Sequence, residues 1–150
     1  MKRLCIIPCG AKKIWDINEN AGATKAKDAY LSTFHQFCQS YATTFFDEWV
    51  ILSAKHGFLR PNDIVNENYN LAFDHKSSEI ISVSELKSQL LEKEMQDYEE
   101  IIVLGGKKYY KVVEKIFEPE LLRYPLKNCK GIGYMNQRLK LAVQTSTEIL

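Results

Sequence analysis

The chain has 150 residues, which is a typical length for one domain, and 45% hydrophobic with 26% charged residues is ordinary for a globular protein. A formal net charge of +1 excludes a general basic field, so binding of nucleic acid would need a local patch or a pocket. The apolar stretch after the N-terminus ends at Pro8, too short for a signal peptide, and no run is long enough for a membrane helix. We therefore expect a cytoplasmic protein with no membrane contact.

The N-terminal half alternates strand-like and helix-like segments. Residues 3–8 form a nearly continuous apolar run typical of a buried strand, and the polar residues 12–27 predict a loop. From Asp28 to Phe45 the apolar residues recur at helical spacing. Residues 49–52 then predict a second strand, and residues 58–74 a long loop.

The C-terminal half continues the alternation. A helix is predicted from Ser84 to Met95, capped by Ser82 or Ser84, and residues 100–104 predict a third strand. Further helices are predicted from Tyr109 to Phe117 and over residues 135–147, with a short edge strand at residues 124–126 between them. This order predicts one α/β domain over residues 1–150, a three-layer α/β/α sandwich on a short, mostly parallel sheet.

Small and cationic residues follow each of the three predicted strands, at residues 9–13, 53–57 and 105–108. The carboxyl ends of parallel strands meet at one edge of a sheet, so we expect these segments to form one pocket. Glycines there let backbone amides approach an oxygen-rich ligand, and the cations indicate that the ligand is anionic. The segments contain neither GxGxxG nor GxxxxGK[ST]. The predicted ligand-binding residues are Cys9, Gly10, Lys13, Gly57, Gly105, Gly106 and Lys107.

The second segment, Ser53-Ala54-Lys55-His56-Gly57, carries the predicted catalytic side chains. An imidazole beside an amine can act as an acid, a base or a cation, so His56, Lys55 and Ser53 are the candidates. Histidine can equally bond loop carbonyls.

Three other side chains have both a functional and a structural interpretation. Cys9 is either a thiolate nucleophile or, as we favour, a small packed residue. Tyr69 and Asn70 could stack on a base and recognise its edge, or Tyr69 could anchor its loop. No convincing metal set is present, since His35 and Cys38 lack a second ligand pair. We expect no metal and no cofactor.

Five motifs occur in an order that resembles a known group of proteins. They are Pro8-Cys9-Gly10-x-x-Lys13, the segment from Ser53 to Leu59, Tyr69-Asn70, Leu104-Gly105-Gly106-Lys107-x-Tyr109 and Gly131-Ile132-Gly133. The chain resembles a small bacterial and phage family related to the peroxide-stress protein YaaA and to the uracil-DNA-glycosylase-like domain of archaeosine-modifying enzymes. Gly10 stands where such proteins usually carry Ser. The resemblance implies a uracil-glycosylase-like fold and a link to modified bases, nucleic acid or protection from DNA damage.

Two functional hypotheses follow from the site and the resemblance. The first is hydrolysis of an N-glycosidic bond of a nucleotide or modified base, with His56 and Lys55 stabilising the departing base. Neither Asp63 nor Asp74 stands out as the carboxylate that would activate water. The second is a non-catalytic module that binds nucleic acid or a nucleotide in stress protection or phage defence. Its phosphate contacts would come from Lys12, Lys13, Lys107, Lys108 and Lys111. A protein-interaction domain is a third possibility.

Overall fold

The computed structural model describes residues 1–150 and contains seven strands. The strands are β1 Arg3–Pro8, β2 Thr24–Lys25, β3 Trp49–Ser53, β4 Gly57–Leu59, β5 Ile64–Val65, β6 Glu100–Val103 and β7 Leu122–Arg123. The main sheet has five of them, in the order β4-β3-β1-β6-β7. Strand β1 lies at the centre, paired in parallel with both β3 and β6, and β7 extends the parallel part beyond β6. Strand β4 is antiparallel to β3, and β2 and β5 form a separate antiparallel pair.

Five α-helices and two short 3₁₀ turns connect the strands. The helices are α1 Ala26–Ala29, α2 Thr33–Phe45, α3 Val83–Glu92, α4 Lys107–Val113 and α5 Ile132–Thr145, and the 3₁₀ turns are Ile14–Asp16 and Pro119–Leu121. The hydroxyl of Ser32 caps α2 and that of Ser82 caps α3, each by accepting a hydrogen bond from the backbone amide three residues further along the chain.

The hydrophobic core is divided by the sheet into two clusters. One cluster joins alternate residues of β1, such as Cys5 and Ile7, to α2 and α5. The other joins Leu4 and Ile6 of the same strand to α3 and α4. Because side chains alternate across a strand, the continuous apolar run in β1 covers both faces. The result is an α/β sandwich of three layers.

The connections reverse direction beside the central strand. The chain leaves β1 through α2, on one face, to reach β3, and leaves β6 through α4, on the opposite face, to reach β7. Neighbouring strands whose connections diverge in this way leave a crevice at their carboxyl ends, where ligands of α/β proteins bind. In this chain the crevice lies between the ends of β1 and β6.

The structure confirms an α/β fold and corrects several predicted elements. The main sheet is mostly parallel, as predicted, with β4 antiparallel at one edge. The predicted loop at residues 58–74 holds β4 in part and β5. The predicted first helix is broken between α1 and α2, where the Ser32 hydroxyl begins a new helix. The edge strand lies at Leu122–Arg123, just before its predicted position. None of the helices has the length and apolar composition needed to cross a membrane.

Candidate functional site

The chain turns sharply after β1, at Gly10. Its φ of +81° lies in the left-handed region, and a Cβ there would come within 2.5 Å of the Ser32 Oγ. The turn is held against the start of α2, since Leu31 donates its amide to the Lys12 carbonyl at 2.9 Å. This close approach explains why glycine occupies the position.

The turn carries Lys13 into the interior, where it is only 3% exposed. Its Nζ donates one hydrogen bond, to the Ala11 carbonyl at 3.0 Å, and no carboxylate lies within 4.0 Å. The ammonium also lies over the Tyr69 ring, 4.4 Å from its centroid. Burial lowers the pKa of Lys13. An ammonium has three donors, so this group retains capacity to bind an oxygen-rich ligand.

Tyr69 joins the exits of β1 and β3. Its hydroxyl is hydrogen-bonded to the Ser53 Oγ at 2.7 Å and to the Tyr30 hydroxyl. The Ser53 Oγ already accepts the backbone amides of Lys55 at 3.2 Å and His56 at 3.1 Å, so it donates its own proton to Tyr69. Burial raises the pKa of Tyr69 to about 12, which keeps the phenol protonated. Ser53 therefore positions both the turn and Tyr69.

The side chains of Lys55 and His56 both approach Tyr69. The His56 ring stands edge-on to the phenol ring with centroids 5.1 Å apart, and the Lys55 Nζ is 5.6 Å from its centroid. Desolvation first, then the positive charges of Lys55 and Lys93, lower the pKa of His56. At neutral pH the imidazole is therefore uncharged, and Lys13 and Lys55 supply the positive charge.

The segment from Ser53 to Gly57 is the tight turn of a hairpin between β3 and β4. Gly57 has φ +72°, and a Cβ there would come within 2.3 Å of the Gln89 Oε1. That amide of α3 bridges the turn, accepting from Phe58 N and donating to the His56 carbonyl, each at 2.8 Å. The space beside Gly57 is thus filled by Gln89 of α3 and by Ile81, and Gly57 lines neither of the two cavities described below.

A cavity of about 420 Å³, the Asp16 cavity, opens beside Tyr69 and is lined by Ala11, Asp16, Asn68, Tyr69 and Asn70. The Asp16 Oδ2 accepts the Lys13 amide at 2.8 Å, and its Oδ1 accepts the Asn68 side-chain amide at 3.3 Å. The bond from the Lys13 backbone is the main reason that the pKa of Asp16 is lowered. An ionised carboxylate therefore stands at a fixed position in the cavity wall.

A second cavity, of about 550 Å³, occupies the crevice between the ends of β1 and β6 and is called the switch-point cavity. It shares Ala11 with the Asp16 cavity. Its polar groups include the Ser32 hydroxyl, the Lys108 ammonium and the Asn136 amide, and the Asn136 Oδ1 is buried without a hydrogen-bond partner. Its other walls are mostly apolar and come from Pro8, Gly10, Phe34, Tyr109, Ile132 and Met135.

The exit of β6 contributes unequally to these cavities. Gly106 lines the switch-point cavity, and Gly105 packs so closely that a Cβ would lie 3.1 Å from the Tyr109 ring. The Cys9 Sγ lies 3.7 Å from the Tyr109 hydroxyl, which links the exits of β1 and β6. Lys107 is exposed and lines neither cavity. Of the predicted site residues, only Gly10, Gly106, Tyr69 and Asn70 line one of the two cavities; the others that line neither one are Cys9, Lys13, Ser53, Lys55, His56, Gly57 and Gly105.

Several residues of the site were not singled out in the sequence. Asp16 lies in a predicted loop, Asn136 in a predicted helix, and Tyr30 among residues expected to form an apolar helix face. The fully buried His35 is positioned by its Nδ1, which donates to the Pro8 carbonyl at 2.7 Å, and by its Nε2, which accepts from Gln39 at 3.1 Å. One sequence signal could have identified Asp16: it stands three residues after Lys13, a spacing at which the carboxylate of one residue accepts the backbone amide of the other.

Metal ligands are not grouped in this structure, since no three His, Cys, Asp or Glu side chains lie close enough together to hold an ion. All four cysteines are free thiols, and three of them are buried. Burial raises the pKa of Cys38 far above its ordinary value, which keeps that thiol protonated.

Comparison with known proteins gives a family but no activity. A model of a family of unknown function, DUF6884, matches residues 4–140. The chain is also 55% identical to the uncharacterised protein YfjM of Bacillus subtilis strain 168, over 150 residues that cover 99% of this chain and 100% of that protein. Matches over such a length include both cavities and every strand of the main sheet, and the chain therefore belongs to the DUF6884 family.

Proposed function

We propose that the protein hydrolyses the N-glycosidic bond of a nucleotide, a nucleoside or a modified base. The observation that carries the proposal is the pair of unlike cavities meeting at Ala11, one with a fixed carboxylate and the other mostly apolar. A ligand of this class also has two unlike halves, a polar sugar with its phosphate and a planar base. The resemblance to uracil-glycosylase-like proteins supports the same fold and the same bond.

The base half suits the switch-point cavity. Phe34 offers a ring surface there, and the unpartnered Asn136 Oδ1 needs a hydrogen-bond donor, such as an amino or imino group of a base. Tyr69 is less suited to stacking, because the Lys13 ammonium already lies over its ring. Asn70, in the Asp16 cavity, contacts the sugar or phosphate in this arrangement.

Asp16 is the group that activates water. Its charged carboxylate takes a proton from a water molecule, the water oxygen bonds to the anomeric carbon, and the carbon–nitrogen bond breaks with its electron pair passing to the base. Positive charge that builds on the sugar is stabilised by the same carboxylate. Lys108, which lines the switch-point cavity, stabilises the negative charge of the departing base. Lys13 and Lys55 lie against the tyrosine of the Asp16 cavity and contact the phosphate of the sugar half, while His56 hydrogen-bonds to the ligand as a neutral imidazole.

The experiment measures release of free base by chromatography from the common nucleosides, their 5′-monophosphates and short oligonucleotides. Asp16→Asn should lower the rate by about 100-fold or more while binding persists, since a positioned general base contributes about that much. Asp28→Asn, an exposed acid on α1 that lines neither cavity, is the matched control and should leave the rate unchanged.

The second candidate is a non-catalytic pocket for the same ligands. It is favoured by one observation: the Asp16 carboxylate already accepts two hydrogen bonds, as an anion with a purely structural role would. Binding of these ligands with no release of base from any of them would retire hydrolysis in favour of this candidate. Equal base release by Asp16→Asn and wild type would instead retain hydrolysis and remove Asp16 from it.

A further inference from the structure

One segment of the chain carries a net positive charge because it contains no acidic residue. Residues 121–147 contain five Lys or Arg and no Asp or Glu, although the whole chain has a formal net charge of only +1. The remainder of the chain is therefore net negative. The five cations are Arg123, Lys127, Lys130, Arg138 and Lys140.

Three of these cations line one groove on the outer side of α5. The groove has a volume of about 870 Å³, and its lining includes Lys130, Arg138 and Lys140 but no acidic residue. Tyr134 also lines it and is 62% exposed. None of the three cations forms an ion pair within 4.0 Å. Unpaired positive charges around an exposed aromatic ring are typical of a surface that binds a polyanion.

A smaller cavity extends the same surface. It shares Asn128 and Arg138 with the groove and adds Arg123 and Lys127. Its two acids, Glu100 and Glu148, are both paired with Arg3, which leaves one negative charge against the three cations that line this cavity, Arg123, Lys127 and Arg138. The basic surface thus continues from α5 toward the edge strand β7.

We propose that this surface, defined by Arg123, Lys127, Lys130, Tyr134, Arg138 and Lys140, binds single-stranded nucleic acid. The cations neutralise successive phosphates, and Tyr134 stacks on a base that is not held in a duplex. A protein partner fits less well, because charged residues are depleted at the core of protein interfaces, whereas cations occupy this groove.

The opposite side of the same helix faces the candidate site. Ile132, Met135 and Asn136 line the switch-point cavity, while Tyr134 and Arg138 face outward on the groove. A strand bound along α5 would therefore pass the rim of that cavity near the start of the helix. The inference does not depend on hydrolysis, because strand binding is measured apart from turnover.

The test measures binding of a fluorescent single strand of about 12 nucleotides by anisotropy, as DNA and as RNA, over salt concentrations from about 50 to about 200 mM. Combined Lys130→Gln, Arg138→Gln and Lys140→Gln should weaken binding by more than about tenfold. It should also reduce the slope of log affinity against log salt by about 2, since each phosphate contact on a single strand contributes about 0.7. Tyr134→Ala should weaken single-strand binding while leaving duplex binding unchanged.

The matched control is the combination of Lys25→Gln, Lys76→Gln and Lys87→Gln, which removes the same charge from exposed, unpaired positions elsewhere. Equal loss in both triple variants would overturn the proposal, as would no binding by wild type, the result expected if the surface receives a protein. Equal binding of duplex and single strand, insensitive to Tyr134→Ala, would overturn single-strand selectivity. Lys13→Met should keep strand binding, which separates this surface from the candidate site.

Discussion

The protein displays its positive charge in two contrasting ways. Lys13 is buried, has no carboxylate partner, and is held by a single carbonyl and an aromatic ring. Lys130, Arg138 and Lys140 stand in solvent around a wide groove. A buried ammonium destabilises the folded state because it has lost hydration, and it can bind an anionic ligand through short contacts that solvent screens only weakly. Exposed cations impose little penalty and attract a polyanion at longer range, with strong dependence on salt.

The largest expected effect comes from Lys13→Met, which removes the buried charge and keeps an unbranched side chain. Affinity for a ribonucleoside 5′-monophosphate, measured by calorimetry, should fall by about 100-fold, because a charge-assisted hydrogen bond contributes up to about 3 kcal/mol. The free energy of unfolding should stay within about 1 kcal/mol of wild type, since the lost cation–π contact is offset by the removed desolvation penalty.

Lys12→Met is the matched control, because Lys12 is the neighbour of Lys13 in sequence but is exposed. It should change neither affinity nor stability. If Lys13→Met bound the nucleotide as wild type does, the buried cation would have no ligand role, and the contrast between the two regions would lose its functional meaning.

Ser53→Ala should destabilise the protein by about 2 kcal/mol in urea unfolding. The fully buried Ser53 Oγ accepts two backbone amides and binds Tyr69, and the substitution leaves those partners unsatisfied. Ser40→Ala, in the exposed part of α2, serves as the comparison and should change stability by less than about 0.5 kcal/mol. A neutral Ser53→Ala would mean that the turn and Tyr69 hold their positions without this hydroxyl.

The order of strands and helices was predictable from the sequence. It was also predictable that the chain segments following β1 and β3 lie close together. Continuous apolar runs in β1, β3 and β6 and helical spacing in α2 are local signals, and they place Lys13 and Ser53 at one edge of the sheet. Short strands such as β5 depend on pairing with a distant segment, here β2, which local periodicity does not encode. Lys107 was predicted to bind the ligand, but its side chain lines neither cavity. The direction of a side chain on a short helix depends on packing, which the sequence does not show.

Residues whose role arises from tertiary contacts were harder to identify. Asp16 is held in the cavity wall by hydrogen bonds from the Lys13 amide and from Asn68, which is distant in sequence. Asn136 belongs to the site only because two strands and three helices meet to form the crevice that it lines. Gly57 was assigned to ligand binding because of its position after β3. Its contacts with Gln89 and Ile81 show that packing against neighbouring side chains also requires a glycine there.

The buried His35 should make stability depend on pH in the acidic range. Burial lowers its pKa, so below its ordinary value of about 6.5 the unfolded chain binds a proton that the folded chain does not. Stability is therefore lost as pH falls, by at most about 1.4 kcal/mol per pH unit for one proton. His35→Gln should show a shallower loss of unfolding free energy between about pH 6.5 and about pH 5. A slope in His35→Gln equal to that of wild type would exclude His35 as the source.

The smallest expected effect is on stability when two of the groove cations are neutralised. Lys130→Gln and Lys140→Gln together should change the free energy of unfolding by less than about 0.5 kcal/mol, because both side chains are unpaired and lie at the surface. A change of more than about 1 kcal/mol in urea unfolding would mean that their aliphatic stems pack on the helix and contribute to the fold. A neutral result, together with the weakened strand binding expected of the triple variant, would assign these charges to a partner, because selection for folding alone gives no reason to concentrate them on one surface.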